Sequence, residues 1–150
     1  MPLTNQLTVI EQAITHADKI NTTVSQKSVD WHLDHSLRVI IGICKTLNQS
    51  NPDEYKWKFN KLRLIIFTKG SIPRGKGRAP KSVLPKDVIT IEEIQQQLNE
   101  AKQLVISINE LPKKSNFKHP LFGLLHRDKS IKFMEMHTQH HLNIINDIIK

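Results

Sequence analysis

Apolar side chains recur every three or four residues in four long segments of the chain. This spacing predicts amphipathic α-helices, each with one face that must be buried against another element. The first stripe consists of Leu3, Leu7, Ile10, Ala13, Ile14 and Ala17. The second helix is predicted from about Ser28, a plausible N-cap, to Leu47. Its main apolar face consists of Leu33, Leu37, Ile40, Ile41, Cys44 and Leu47.

The third and fourth long helices lie in the second half of the chain. Thr90 and Glu93 have the spacing of a capping box, and Leu111–Pro112 ends the helix that follows. The inward side chains of that helix are Ile91, Ile94, Leu98, Ala101, Val105 and Ile108. The last helix is predicted to start at Asp128 or Ser130 and to continue to the end of the sequence.

The remaining segments are shorter or irregular. Tyr55, Phe59, Leu62 and Ile66 predict a short basic helix. The segment KGSIPRGKGRAPKSVLPKD is rich in Gly and Pro and is interpreted as a long loop, and KKSNFKHPLFGLLHR as a second non-helical connection. No alternating strand pattern of useful length is visible. We therefore expect an all-α single domain over residues 1–150, a four-helix bundle with an extra short helix and a long basic loop.

The composition favours a soluble globular protein. The 150 residues are 38% hydrophobic and 24% charged, which suits one domain with a real core. The start shows no secretory signal, and the longest apolar run, VIIGIC, is too short to span a bilayer, so no membrane association is expected. Cys44 is the only cysteine, which suits a reducing cytoplasm. Because it falls on an apolar helix face, we expect it to pack rather than react.

The net charge of +8 is concentrated in one segment. Residues 55–86 contain ten Lys or Arg and no Asp or Glu, which leaves −2 for the rest of the chain. Such a segment is most often a solvated face, but Arg74, Lys76 and Arg78 are candidates to receive an anionic substrate. No recognisable reader motif accompanies the charge, which argues against nucleic-acid binding.

Two histidines stand on the stripe of the last helix that should face the core. Its members are Met134, His137, Thr138, His141, Ile145 and Ile148. His137 and His141 are one turn apart, with Cβ atoms about 5–6 Å from each other, so that one cation can bind both rings. The alternative is that each is a core histidine with its own hydrogen-bond partner. His140 falls near the edge of the stripe.

The second helix offers a third histidine. His35 lies on the side opposite Leu33, next to Trp31, Val39 and Gly42. His32 lies on a flank, and the periodicity does not choose between the two. Both positions are compatible with burial, because this helix is apolar nearly all round.

Three motifs together resemble a known family. The chain resembles the DinB/YfiT-like metalloenzymes in three segments. These are DHSLRVI in a Ser-initiated helix, HPLFG, and HTQHH near the end. The similarity is greatest to a small branch with a His-Pro-Phe-Phe-Gly-like motif, and it extends over nearly the whole chain. Many members carry Trp directly before the Ser or Thr of the second helix, whereas this chain has Lys27 there and Trp31 four residues later.

The resemblance implies a four-helix bundle that holds one divalent metal, often Zn²⁺ or Ni²⁺, through three histidines. Those positions match His35, His137 and His141. Some members transfer or isomerise small molecules with low-molecular-weight thiol cofactors, and others are presumed hydrolases. A homodimer is compatible with the resemblance.

A site of three histidines leaves a coordination position open, whereas structural zinc sites normally have four protein ligands. We therefore expect a metal-dependent enzyme that acts on an unidentified small molecule. The resemblance implies a thiol-dependent transferase or isomerase, or a hydrolase. The alternative is a non-catalytic metal-binding or interaction protein. No general base is identified, and His119 of HPLFG either lines the mouth of the site or caps a turn.

Overall fold

The computed structural model describes residues 1–75, 81–86 and 88–150, and helix dominates these ranges. Five α-helices occur in them: α1 Leu3–Ala13, α2 Val29–Gln49, α3 Lys61–Lys69, α4 Ile91–Ser107 and α5 Arg127–Ile149. Two antiparallel strands, β1 Asn116–His119 and β2 Gly123–His126, connect α4 to α5. Across the described ranges, no helix has the length and apolar character that crossing a membrane requires.

The four longer helices surround one hydrophobic core. Helices α1 and α2 each pack against both α4 and α5, so α1 and α2 lie on one diagonal of the arrangement. The predicted stripes of α1 and α2 are buried throughout, and that of α4 is buried except for Ile91, which is exposed in its first turn. Burying one such aliphatic side chain contributes about 1.5–3 kcal/mol relative to leaving it exposed.

The helix starts combine predicted and unpredicted contacts. The capping box of α4 is confirmed, since Thr90 Oγ1 accepts the Glu93 N–H and the Glu93 carboxylate accepts the Thr90 N–H. Ser28 precedes α2 as predicted, but its hydroxyl donates to Asp30 instead of capping the backbone. The Asp30 carboxylate accepts the Trp31 N–H at 2.7 Å. Helix α5 begins at Arg127, immediately before the predicted Asp128.

The prediction of no strands was wrong for residues 116–126. Phe117 pairs with Leu125, and His119 pairs with Gly123, so that the HPLFG motif forms the turn of a hairpin. Gly123 has φ +70°, a conformation that residues with a Cβ rarely adopt. His119 Nδ1 accepts the N–H groups of the two turn residues that precede Gly123, at 3.1 and 3.2 Å. Each strand has four residues, which is too short for alternation to be recognised.

The short basic helix starts later than predicted. It begins at Lys61, because the Asn60 side chain accepts the Arg63 N–H at 2.8 Å and caps the helix there. Tyr55 and Phe59 therefore precede the helix instead of sharing its face. Arg63 Nη1 donates to the backbone carbonyls of Phe122 and Leu124, at 3.1 and 3.4 Å. Helix α3 is thus connected to the hairpin by hydrogen bonds, and also by the Phe67 ring, which packs edge-on against Phe122 with ring centroids 5.8 Å apart.

Candidate metal centre

Three histidines from α2 and α5 meet between these two helices. One nitrogen of each ring of His35, His137 and His141 lies within 4.8 Å of the other two. The ring centroids are 5.1 Å apart for His35 and His137, 4.9 Å for His35 and His141, and 4.6 Å for His137 and His141. The three rings are close enough to bind one cation together.

The loop before α4 fixes the orientation of His35. Its Nδ1 lies 2.7 Å from the Val83 carbonyl oxygen, which can only accept, so Nδ1 carries the proton. In the neutral ring, Nε2 then keeps its lone pair for a ligand. The Trp31 ring stacks on His35 at 5.0 Å, and the Lys27 ammonium lies 5.7 Å from the Trp31 ring centre.

A second histidine of α2 orients His141. His32 Nδ1 lies 2.9 Å from His141 Nδ1, and His32 Nε2 lies 3.0 Å from Ser25 Oγ. If His141 donates from Nδ1, its Nε2 is left with a lone pair, and His32 must then donate from Nε2 to the Ser25 hydroxyl. This arrangement pairs three of the four ring nitrogens and leaves the fourth, His141 Nε2, with a lone pair for a metal.

His137 has an unsatisfied nitrogen. Its Nδ1 is buried and has no hydrogen-bond partner among the described residues. Nearly all buried polar atoms in proteins have a hydrogen-bond partner or a ligand. The unpaired nitrogen of His137 therefore indicates that a bound ion or molecule contacts this ring. Three imidazole nitrogens around one point form a donor set that suits Zn²⁺ or Ni²⁺, so the residues fit the metal that the motifs predict.

Burial keeps these rings uncharged. Desolvation lowers the pKa of His137 and His141 well below 6.5, and the neighbouring histidines lower it further. The pKa of His32 is lowered to about 4, first by burial and then by His35. That of His35 is also lowered by burial, against the Val83 hydrogen bond. Only the neutral imidazole binds a metal, so the site is ready to do so at neutral pH.

The histidines open onto a cleft of about 680 Å³. The described residues that line it include no Asp or Glu. Its apolar wall is formed mainly by Val39, Ile43, Pro73, Phe117, Phe122 and Phe133. A concave, largely apolar cavity with a few polar groups at one end is typical of a small-molecule site.

The other predicted site residues have different positions. His119 lines the cleft and also caps the hairpin turn, so both interpretations of it hold. Its ring stacks on Phe122 at 4.3 Å, and burial lowers its pKa to about 4. Arg74 forms an exposed ion pair with Asp147 at 2.8 Å. Lys76 and Arg78 lie outside the described residues.

Three polar residues near the site were not predicted to take part. His140 lines the cleft, with its Nδ1 3.1 Å from the Ile72 carbonyl oxygen. Arg38 also lines the cleft. It lies three residues after His35, a helical spacing that puts it on the same side of α2 and was a usable signal. Asp34, the residue before His35, forms an ion pair with Arg38.

Comparisons of the chain with protein-family models, with curated proteins and with solved structures find no match. The function is therefore inferred from the geometry and chemistry of the cleft.

Proposed function

We propose that this protein is a metal-dependent enzyme that acts on a small molecule bound in the cleft. One divalent cation, Zn²⁺ or Ni²⁺, binds His35, His137 and His141, and at least one coordination position stays open. The observation that carries the proposal is the approach of the three ring nitrogens to within 4.8 Å of one another, beside a cleft large enough for a substrate.

The reaction type that fits best is a thiol-dependent transfer or isomerisation, or a hydrolysis. A divalent cation in such a site supplies Lewis-acid chemistry, and it lowers the pKa of a bound thiol or water. His35 and His141 contribute oriented lone pairs, because Val83 and His32 fix their opposite nitrogens.

His140 is the lining side chain best arranged to accept a proton. Its Nδ1 faces the Ile72 carbonyl, so the proton resides there and Nε2 keeps a lone pair. The described residues that line the cleft include no Asp or Glu, so no carboxylate there could accept the proton in place of His140.

The helical arrangement supports a DinB-like bundle. Four helices around one core, with histidines on the second helix and on the last, agree with the pattern that the sequence motifs suggest. The low-molecular-weight thiol belongs to the same proposal, because a soft thiolate is a good ligand for a zinc ion with an open position.

Metal binding is the first test. Purified protein is stripped with a chelator, loaded with Zn²⁺ or Ni²⁺, dialysed and measured by elemental analysis. About one ion per chain is expected, and His141→Ala should lose it while His16→Ala, outside the cleft, should keep it. Full metal retention in His141→Ala would contradict the proposed site.

Turnover separates the enzyme from the second candidate, a non-catalytic metal-binding protein. That candidate is favoured because the described residues that line the cleft include no Asp or Glu. Metal-loaded protein is screened against activated esters and amides, and against electrophiles offered with small thiols. Activity that is lost with the metal and absent in His141→Ala supports the enzyme. Stoichiometric metal without turnover in any arm supports the binding protein.

A further inference from the structure

The cleft contains an arginine whose orientation is fixed from behind. Arg38 lies one turn after His35 on α2 and lines the same cleft. Asp34 holds its guanidinium through Nε at 2.5 Å and Nη2 at 3.3 Å. Asp34 is buried and accepts a further hydrogen bond from Gln97 of α4 at 2.7 Å. The carboxylate thus accepts three hydrogen bonds, and the two from Arg38 determine where the arginine points.

Part of the guanidinium remains available. Asp34 contacts Nε and Nη2, and within the described residues Nη1 makes no hydrogen bond. The arginine side chain is 27% exposed, so its outer edge is accessible. Arginine can only donate, and its fork of N–H groups matches the oxygens of a carboxylate or phosphate.

Away from the three-histidine cluster, two other side chains that line the cleft are donors as well. Lys118 lines it and carries an ammonium group. His119 accepts two backbone N–H groups on Nδ1, so its proton is on Nε2. His140 Nε2 is an acceptor, but the described lining contains no Asp or Glu. A ligand that pairs with these donors must itself bring acceptor oxygens.

We propose that Arg38 binds the carboxylate or phosphate of a small anionic substrate whose apolar part packs against Phe122 and Phe133. The position of the substrate's reacting group at the three histidines rests on the proposed function. The anion contact does not, because Arg38 is held by Asp34, and Asp34 by Gln97, and none of these residues is a proposed metal ligand.

The test uses metal-free protein, kept with a chelator, and titration calorimetry. The probes are 4-phenylbutyrate, its neutral amide and 4-phenylbutyl phosphate. Either anion should bind the unaltered protein roughly ten- to hundredfold more tightly than the amide, since hydrogen bonds to charged groups differ from neutral ones by that much. The anion with the lower dissociation constant indicates whether the natural substrate carries a carboxylate or a phosphate.

Two variants examine the contact itself. The double variant Asp34→Asn with Arg38→Gln removes both charges and keeps a hydrogen-bonded pair in the buried position, and it should bind anion and amide alike. Arg38→Lys keeps Asp34 paired but lacks the fork, and it should lose most of the anion preference even if the double variant does not fold. Lys118→Gln removes an exposed lining charge and should change the preference less than either.

Equal binding of anion and amide by the unaltered protein would overturn the proposal. So would binding of no probe at millimolar concentration, or an anion preference that survives in Arg38→Lys and in a folded double variant. Failure of the metal site has a different signature. In that case the anion preference is intact in metal-free protein while added Zn²⁺ is not retained.

Discussion

The two sides of α2 are buried to a similar degree and hold different chemistry. One side carries aliphatic side chains such as Leu33, Leu37 and Ile40, which need only close packing. The other carries His32 and His35, and each requires one polar partner from elsewhere in the fold. The aliphatic side stabilises the fold, whereas the histidine side has a desolvation cost that its contacts must offset.

Burial acts on both sides of α2 by suppressing charge, with opposite effects on reactivity. Cys44 is fully buried in the core, which confirms that it packs there, and this burial raises the pKa of its thiol to about 12. Burial lowers the pKa of His32 to about 4. A neutral thiol is unreactive, whereas a neutral imidazole has a lone pair that can bind a metal. The same desolvation therefore makes Cys44 unreactive and keeps the histidines able to bind a metal.

The largest expected effect is a loss of stability in acid that originates in the buried histidines, those of the metal site above all. The folded pKa values of His32, His35, His137 and His141 lie below the ordinary value of 6.5. Between pH 6.5 and about 4, the unfolded chain therefore binds protons that the folded chain does not, and stability falls as the pH falls. Denaturant unfolding of metal-free protein at several pH values measures this, and a constant free energy from pH 7 to 4.5 would contradict it.

A cavity on the aliphatic side should have the next largest effect. Leu37→Ala removes a fully buried side chain and should lower the free energy of unfolding by about 2–5 kcal/mol. Its folded form should still bind metal, and its stability should keep the same pH dependence. His35→Gln should lower the free energy of unfolding less than Leu37→Ala does, and it should retain no metal. Loss of metal from folded Leu37→Ala would show that the two sides are not separable.

His32 should tune the metal without binding it. His32→Phe removes the hydrogen-bond partner of His141 Nδ1 and should weaken metal affinity by roughly 10–100-fold, with stoichiometry kept at saturating metal. Competition with a chromophoric chelator measures the affinity, and His126→Phe in the hairpin is the matched control. Unchanged affinity in His32→Phe would mean that His141 is oriented by other contacts.

The basic segment should matter least. Arg74 pairs with Asp147 at the surface, and exposed pairs of this kind contribute about 0–1 kcal/mol. The triple variant Arg74→Gln, Lys76→Gln, Arg78→Gln should therefore keep its metal and nearly all of its stability. The segment would be functional if the triple variant weakened binding of 4-phenylbutyrate in a salt-sensitive way, or reduced the salt slope of a measured nucleic-acid affinity.

The sequence predicted those features that local spacing determines. The stripes of α1 and α2 and the Thr90 capping box were visible because they depend on residues within a few turns of each other. The hairpin was missed because its strands are four residues long, although Pro120 and Gly123 marked its turn. The predicted start of α3 was too early because the apolar spacing continues upstream of Asn60, the residue that caps the helix.

The site was predicted less completely, because its contacts join distant parts of the chain. Spacing alone placed His137 and His141 on one face, whereas His35 was selected by the family resemblance, and the structure brings the three rings together. The partners that orient the rings come from elsewhere: Val83 is 48 residues from His35, and His141 is 109 residues from His32. Because α2 is buried on both sides, periodicity could not separate the ligand candidate His35 from the orienting residue His32.

Anomalous diffraction from a crystal grown with Zn²⁺ or Ni²⁺ tests the central claim most directly. Data collected on either side of the metal's absorption edge locate the ion without reference to any expected ligand. The account predicts one strong peak per chain, about 2.0–2.1 Å from one ring nitrogen each of His35, His137 and His141. A metal-loaded crystal with no peak between these rings, or with the ion bound at His119 or His126 instead, would contradict it.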